Sequence, residues 1–228
     1  MSAPSPGGRA SGEGAAPWRL ARFLRVTVAK LLTVLFRVRV LGAENLPTSE
    51  GYVLAGNHVS YLDPVLMWCV TPAPAHFIAK QELFDAPVVG WLITRVWAIP
   101  VQRASADREA IQRAAALLKA GEIVGIFPEG TRQSADGHGD EPLGEASQGV
   151  SFIAMRADAP VVPVGISGTE RALPRGAKLP RFPRVTISYG PPVRPWDFTQ
   201  GGRKQRMEAM TARIMAGIAT QRTLAEKE

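Results

Sequence analysis

Residues 18–40 read WRLARFLRVTVAKLLTVLFRVRV, and Leu20, Phe23, Leu24, Val28, Leu31, Leu32 and Leu35 recur there at the spacing of a helical face. Arg19, Arg22, Arg25 and Lys30 interrupt the run, so it holds no unbroken stretch of about 20 apolar residues and does not read as a membrane span. Two readings stay open for this helix. It packs its stripe on the rest of the domain, or it lies on a bilayer surface with its basic residues beside an apolar face. Beyond Gly42 the period changes, and apolar runs over 52–56, 76–80, 97–101, 122–127, 161–166 and 184–189 predict strands. Several runs are nearly continuous, as in strands buried on both faces. Helical patterns separate them, most clearly over 106–120, with Ser105 as N-cap, Asp107 and Glu109 in the first turn and Gly121 at the end. A last helix over 204–220 aligns Met207, Met210, Ile214 and Ile218. Strands alternating with helices predict an α/β fold: a largely parallel central sheet covered by helices, with an N-terminal amphipathic helix.

Composition sets the limits of that fold. A chain of 228 residues, 46% of them apolar, suits one compact domain with a sizeable core. The opening MSAPSPGGRASGEGAAP is nearly all small residues, Gly and Pro, which bury too little apolar surface to offset the entropy of ordering. The expected organisation is a disordered tail over 1–17, an amphipathic helix and lead-in strand over 18–40, and the main domain over 41–228. The tail lacks the continuous apolar core of a secretory signal, so the expected location is the cytoplasmic side. The single cysteine, Cys69, excludes an intrachain disulfide and a cysteine-based metal cluster, and reads as a small core residue. A net charge of +7 and a pI near 10.1 point to a phosphate-rich partner: nucleic acid, an anionic membrane or phosphorylated small molecules. No element interleaves basic and aromatic residues and no binding module is recognisable, so nucleic acid is not an expected partner.

Candidate chemistry gathers at the ends of the predicted strands, where ligands bind in open α/β sheets. GNHVSYLDP follows the first run and brings His58 and, five residues on, Asp63. Asp63 before Pro64 reads as a helix N-cap, which alone explains it. A turn of this length also returns Asp63 to one nitrogen of His58, fixing its tautomer and stabilising the imidazolium formed when the other nitrogen takes a proton. Histidine suits a general base because its unperturbed pKa of about 6.5 lies close to working pH. FPEGTR ends another strand and carries Glu129, Gly130, Thr131 and Arg132, with Gly130 allowing close ligand approach. IPVQR places Arg103 just past a third strand, and Lys80 ends a fourth. APVVPVGISG is a strand interrupted by Pro163, which is expected at an edge or a bulge.

NHVSYLD, IPVQR, FPEGTR and VVPVGISG, in this order, resemble the four motif blocks of the glycerolipid acyltransferase family, over residues 37–193. The resemblance implies an α/β fold at a membrane surface and acyl transfer to the free hydroxyl of 1-acyl-glycerol 3-phosphate (lysophosphatidic acid), forming phosphatidic acid. It implies no cofactor; the donor is a co-substrate, an acyl-CoA or an acyl-ACP (acyl carrier protein). On this reading His58 and Asp63 are the catalytic pair. Arg103, Arg132 and Lys80 hold the acceptor's phosphate, Arg offering forked donors, while Gly130 and Thr131 give backbone contact and Glu129 positions the glycerol part. The N-terminal helix then seats a peripheral protein on the anionic cytoplasmic leaflet. Two departures bear on the acceptor. Gln148 stands before Gly149 where many relatives have Lys or Arg, and the acidic stretch over 133–145 reads as a mobile loop. His138 in that loop receives no metal role, and His76 is structural. Other readings are acylation of another lysophospholipid or a glycolipid, and a non-catalytic lipid-binding protein at a membrane surface.

Overall fold

The computed structural model describes residues 18–80, 85, 99–101, 108–128, 144–172 and 181–228. In chain order these form α1 (Trp18–Leu35), β1 (Arg39–Leu41), β2 (Tyr52–Gly56), α2 (Asp63–Val70), β3 (Ala75–Lys80), β4 (Ile99–Val101), α3 (Arg108–Lys119), β5 (Ile123–Ile126), α4 (Gly144–Ala157), β6 (Val161–Ser167), β7 (Thr186–Tyr189) and α5 (Arg203–Glu226). The strands pair in the order β1-β7-β6-β2-β5-β3-β4. Five of them, β6 through β4 in that order, run parallel, so their carboxyl ends share one edge. β7 returns antiparallel to β6 and β1 follows it in parallel. The sheet is therefore mainly parallel, with a reversed pair at one side.

The near-continuous apolar runs have a direct structural cause: both sheet faces are covered. Along β2, Val53 and Ala55 turn toward one core, which includes Leu118, Ile153, Met210, Ile214 and Ile218 from α3, α4 and α5. Tyr52 and Leu54 turn the other way, toward Phe36, Leu66, Met67 and Phe77. Side chains alternate along a strand, so a strand buried on both faces needs apolar residues at every position. Cys69 packs, half-buried, against the second core. His76 is the second residue of β3, with Nε2 3.8 Å from Glu122.

Pro163 sits at a bulge, one of the two places expected for it. It lies inside the sheet, since β6 is flanked by β2 and β7. Odd-numbered residues of β6 turn their backbone toward the β7 side: Val161 exchanges hydrogen bonds with Val193, and the Pro163 carbonyl accepts from Gly190 N–H. Val164 pairs with Tyr189, whereas Val161 bridges Val193, which puts one extra residue on the partner strand. The missing N–H of Pro163 thus faces a bulge, where no ladder bond is lost.

α1 packs part of its stripe on the domain, the first of the two readings its pattern left open. Phe36, just past its end, is buried and Leu32 packs against the core. Val26, Leu31 and Val34 are 59%, 61% and 68% exposed, which leaves an apolar face uncovered. Among the described residues no helix is long and apolar enough to cross a membrane. The helix expected over 106–120 is described from Arg108, so its Ser105 cap lies outside the described residues. The last helix runs six residues further than its apolar pattern, because Gln221 continues the buried face by accepting from the Ser188 hydroxyl at 2.6 Å.

Candidate active site

At the carboxyl end of β2 the chain leaves the sheet, and Asn57 holds it there. Its side-chain amide donates to the Ile166 carbonyl at 3.0 Å, and its Oδ1 accepts from Ile166 N–H at 2.8 Å. Even-numbered residues of β6 face β2, so the Asn57 side chain supplies the next rung of the ladder after the backbone has turned away. His58 follows, fixed at its start.

The loop from Val59 to Leu62 brings Asp63 back under the imidazole. Asp63 Oδ2 lies 2.9 Å from His58 Nδ1. A carboxylate only accepts, which assigns the imidazole hydrogen to Nδ1 and makes Nε2 the basic nitrogen. The same oxygen accepts from Val59 N–H at 2.8 Å and Ser60 N–H at 2.7 Å. Oδ1 accepts from the Thr169 hydroxyl at 2.6 Å. Asp63 is completely buried, and these donors replace the water it has lost. The expectation that Asp63 caps α2 is corrected. Leu62 holds the N-cap position without a side-chain bond, and Asp63 is the first helical residue. Its carboxylate turns back onto the loop that precedes it, where His58, Val59 and Ser60 already converge.

Aromatic rings form the floor of the site. Phe127, just past β5, stacks on His58 with ring centroids 4.3 Å apart and planes at 21°. Phe77 stacks on Phe127 at 5.8 Å. The stack requires a glycine, since a Cβ on Gly125 would sit 2.2 Å from Phe77 Cε1. The glycine inside the strand EIVGI is therefore part of what holds the imidazole flat. Two buried tyrosines lie in the sheet near the site: Tyr52 opens β2, at the end away from His58, and Tyr189 of β7 pairs with Val164, which pairs with Gly56. Burial pushes the Tyr52 hydroxyl up to about 12. Tyr189 is pushed up further, first by burial and then by Tyr52. Both stay neutral and add no charge beneath the site.

The structure brings His58 and Asp63 together within hydrogen-bonding distance. Lys80 is the last residue of β3, on the same sheet edge. Arg103, Glu129, Gly130, Thr131 and Arg132 lie outside the described residues, as do His138 and most of the loop expected over 133–145. Gly144 and Glu145, at the end of that expected loop, are helical and open α4; Gln148 is half-buried on the same helix. Sequence reasoning missed Asn57, Phe127 and Thr169 as parts of the site. Asn57 and Phe127 carried a signal, since each stands inside a quoted motif block; Thr169 stands one residue beyond the fourth.

A histidine held by a buried aspartate, at the carboxyl edge of a mainly parallel sheet, makes a general-base site of an α/β transferase or hydrolase. Comparison with known proteins narrows the class. The family model described as Acyltransferase matches residues 37–167. The 1-acyl-sn-glycerol-3-phosphate acyltransferase of Bacillus subtilis (strain 168) is 33% identical over 191 residues, 83% of this chain and 90% of that protein. A chloroplastic 1-acyl-sn-glycerol-3-phosphate acyltransferase of Brassica napus, BAT2, is 34% identical over 63% of this chain and 41% of its own. Among solved structures, the 1-acyl-sn-glycerophosphate (LPA) acyltransferase PlsC of Thermotoga maritima superposes with a TM-score of 0.66 at 27% identity, covering 89% of this chain and 81% of its own. The chain belongs to the acyltransferase family.

Proposed function

We propose that this protein transfers a fatty acyl group from an acyl thioester to the free hydroxyl of 1-acyl-glycerol 3-phosphate, forming phosphatidic acid. The observation that carries the reading is the His58 Nδ1 to Asp63 Oδ2 hydrogen bond at the carboxyl end of β2. The relatives named for this reaction support the choice of acceptor. His58 Nε2 takes the hydroxyl proton as the acceptor oxygen attacks the thioester carbonyl. The new C–O bond forms, the tetrahedral adduct collapses with loss of the C–S bond, and the proton passes to the departing thiolate. Asp63 stabilises the imidazolium formed between these steps. The transfer is direct, so it uses no acyl-enzyme and leaves Cys69 in its packing role.

The acceptor's phosphate meets Lys80, which ends β3, and Arg103 and Arg132, which come after β4 and β5 in the sequence. Gly130 and Thr131 contribute backbone contact there, and Glu129 orients the glycerol. Acyl-CoA or acyl carrier protein delivers the chain. The exposed apolar face of α1, with Lys30 beside it, supports peripheral attachment to the anionic cytoplasmic leaflet, from which acceptor and acyl chain reach the site. The test is acceptor-dependent thiol release by purified protein, with a His58→Ala variant beside it. Release with another lysophospholipid and none with the 1-acyl-glycerol 3-phosphate would keep the reaction and replace the acceptor.

A further inference from the structure

We propose that Thr169 is a positioning residue of this site, acting on His58 through Asp63. The inference rests on the general-base reading of His58 and adds a part that none of the motif blocks contains. Asp63 has two oxygens with unequal loads. Oδ2 gathers three donors, all from the five residues before it: His58 Nδ1, Val59 N–H and Ser60 N–H. Oδ1 accepts from the Thr169 hydroxyl at 2.6 Å, a donor 106 residues away in sequence. Three bonds converging on one oxygen hold that oxygen in place and still let the carboxylate pivot about it. The Thr169 bond on the other oxygen stops the pivot and sets the carboxylate plane relative to the imidazole. It also occupies Oδ1, which would otherwise compete as acceptor for the Nδ1 hydrogen.

The chain builds this contact deliberately. Thr169 is completely buried, so its hydroxyl has no water to donate to instead. It opens a 3-10 turn, Thr169–Arg171, whose N-cap is Gly168 at φ 100°, a conformation that disfavours any side chain. A Cβ on Gly168 would also lie 2.2 Å from the Arg184 carbonyl oxygen. Glu170 Oε2 accepts from Gly168 N–H at 2.8 Å and fixes the turn from within. Three residues earlier, Ile166 is tied to Asn57 by two hydrogen bonds. The end of β6 therefore grips the loop twice, at Asn57 before the histidine and at Asp63 after it. During turnover the imidazole gains and loses a charge, and a carboxylate held at both oxygens keeps its geometry through both states.

The test compares Thr169→Val, which keeps shape and removes the donor, with Thr169→Ser, which keeps the donor and removes a methyl. The expected result is a fall in kcat of about 10- to 100-fold for Thr169→Val with KM for both substrates nearly unchanged, and activity within about threefold of wild type for Thr169→Ser. In an Asp63→Asn background Thr169→Val should cause no further loss, because the hydroxyl acts through the carboxylate. The hydrogen-bonded Nδ1 proton of His58, observed by NMR in histidine-labelled protein without substrate, should shift in Thr169→Val and return in Thr169→Ser. Should Thr169→Val fail to fold, Thr169→Cys, with a weak S–H donor of similar size, should show the same losses in smaller measure. Folded Thr169→Val with wild-type kcat, or a loss that adds fully to that of Asp63→Asn, would overturn the proposal. So would an unmoved Nδ1 proton. The NMR signal needs no turnover, so a wild-type protein without acyl transfer but with a shifted proton in Thr169→Val would reject the function and keep the coupling.

Discussion

Replacing Asn57 by Ala tests whether a side chain in the N-H-x4-D block serves the fold as much as the chemistry. The Asn57 side chain is the partner of both backbone groups that Ile166 turns toward β2. Truncation orphans an N–H and a C=O at once, and leaving a buried polar group unpaired costs about 1–3 kcal/mol. Ile166 and Val164 are at most 1% exposed and Asn57 itself is 1% exposed, so water has little access to replace the lost bonds. The two groups together imply a loss of about 3 kcal/mol in unfolding free energy, at the lower middle of the summed range. Urea denaturation followed by tryptophan fluorescence measures it, with an unchanged slope showing that the unfolded state is the same. Asn57→Asp sharpens the reasoning. Its carboxylate still accepts from Ile166 N–H but sets a second oxygen against the Ile166 carbonyl, so at neutral pH it should be no more stable than the Ala variant. Protonation restores a donor, so lowering the pH should raise Asn57→Asp relative to Asn57→Ala. If Asn57→Ala unfolds within about 0.5 kcal/mol of wild type, the clamp is not what holds the loop.

Two further outcomes follow from the packing. Gly125→Ala puts a methyl into the Phe77 ring, so the stack that reaches His58 through Phe127 must shift; a loss of about 1–3 kcal/mol is expected, with kcat falling while KM holds. Equal kcat in a correctly folded variant would show that the aromatic floor does not orient the imidazole. On α1, the double change Leu31→Glu and Val34→Glu should release the protein from anionic vesicles, since burying two such exposed side chains in the interface is worth about 2–4 kcal/mol together. Neutralising Arg19, Arg22 and Arg25 with Gln should weaken binding in the same direction, by about 1 kcal/mol for each charge. Undiminished sedimentation with the vesicles in both variants would contradict a membrane role for this helix.

The mainly parallel sheet was legible because burial on both faces imposes an apolar residue at every strand position, a pattern that local sequence carries in full. The reversed pair β1 and β7 was not, since Arg39–Leu41 is a short, exposed strand with no alternation of its own and takes its direction from β7. The proximity of His58 to Asp63 was readable from five residues of separation. The role of Asp63 as cap or as partner was not, because Asp before Pro suits both. What decided it was the convergence of the Val59 and Ser60 N–H groups, which depends on loop dihedrals and not on residue type. Thr169 could not be read at all as a site residue. Its contact spans 106 positions and depends on the register of β6 beside β2. Pro163 shows the same limit, since the sequence demands a place without a ladder bond and only the offset between Val161–Val193 and Val164–Tyr189 says where.

The most direct test of the account is thiol release from palmitoyl-CoA, and in parallel from palmitoyl carrier protein, by purified protein in detergent with 1-acyl-glycerol 3-phosphate as acceptor. Release is expected with at least one donor; it should require the acceptor, yield phosphatidic acid, and fall by about 10²- to 10⁴-fold in His58→Ala. Release that persists undiminished in the His58→Ala variant, or no release with either donor from folded wild-type protein, would contradict it.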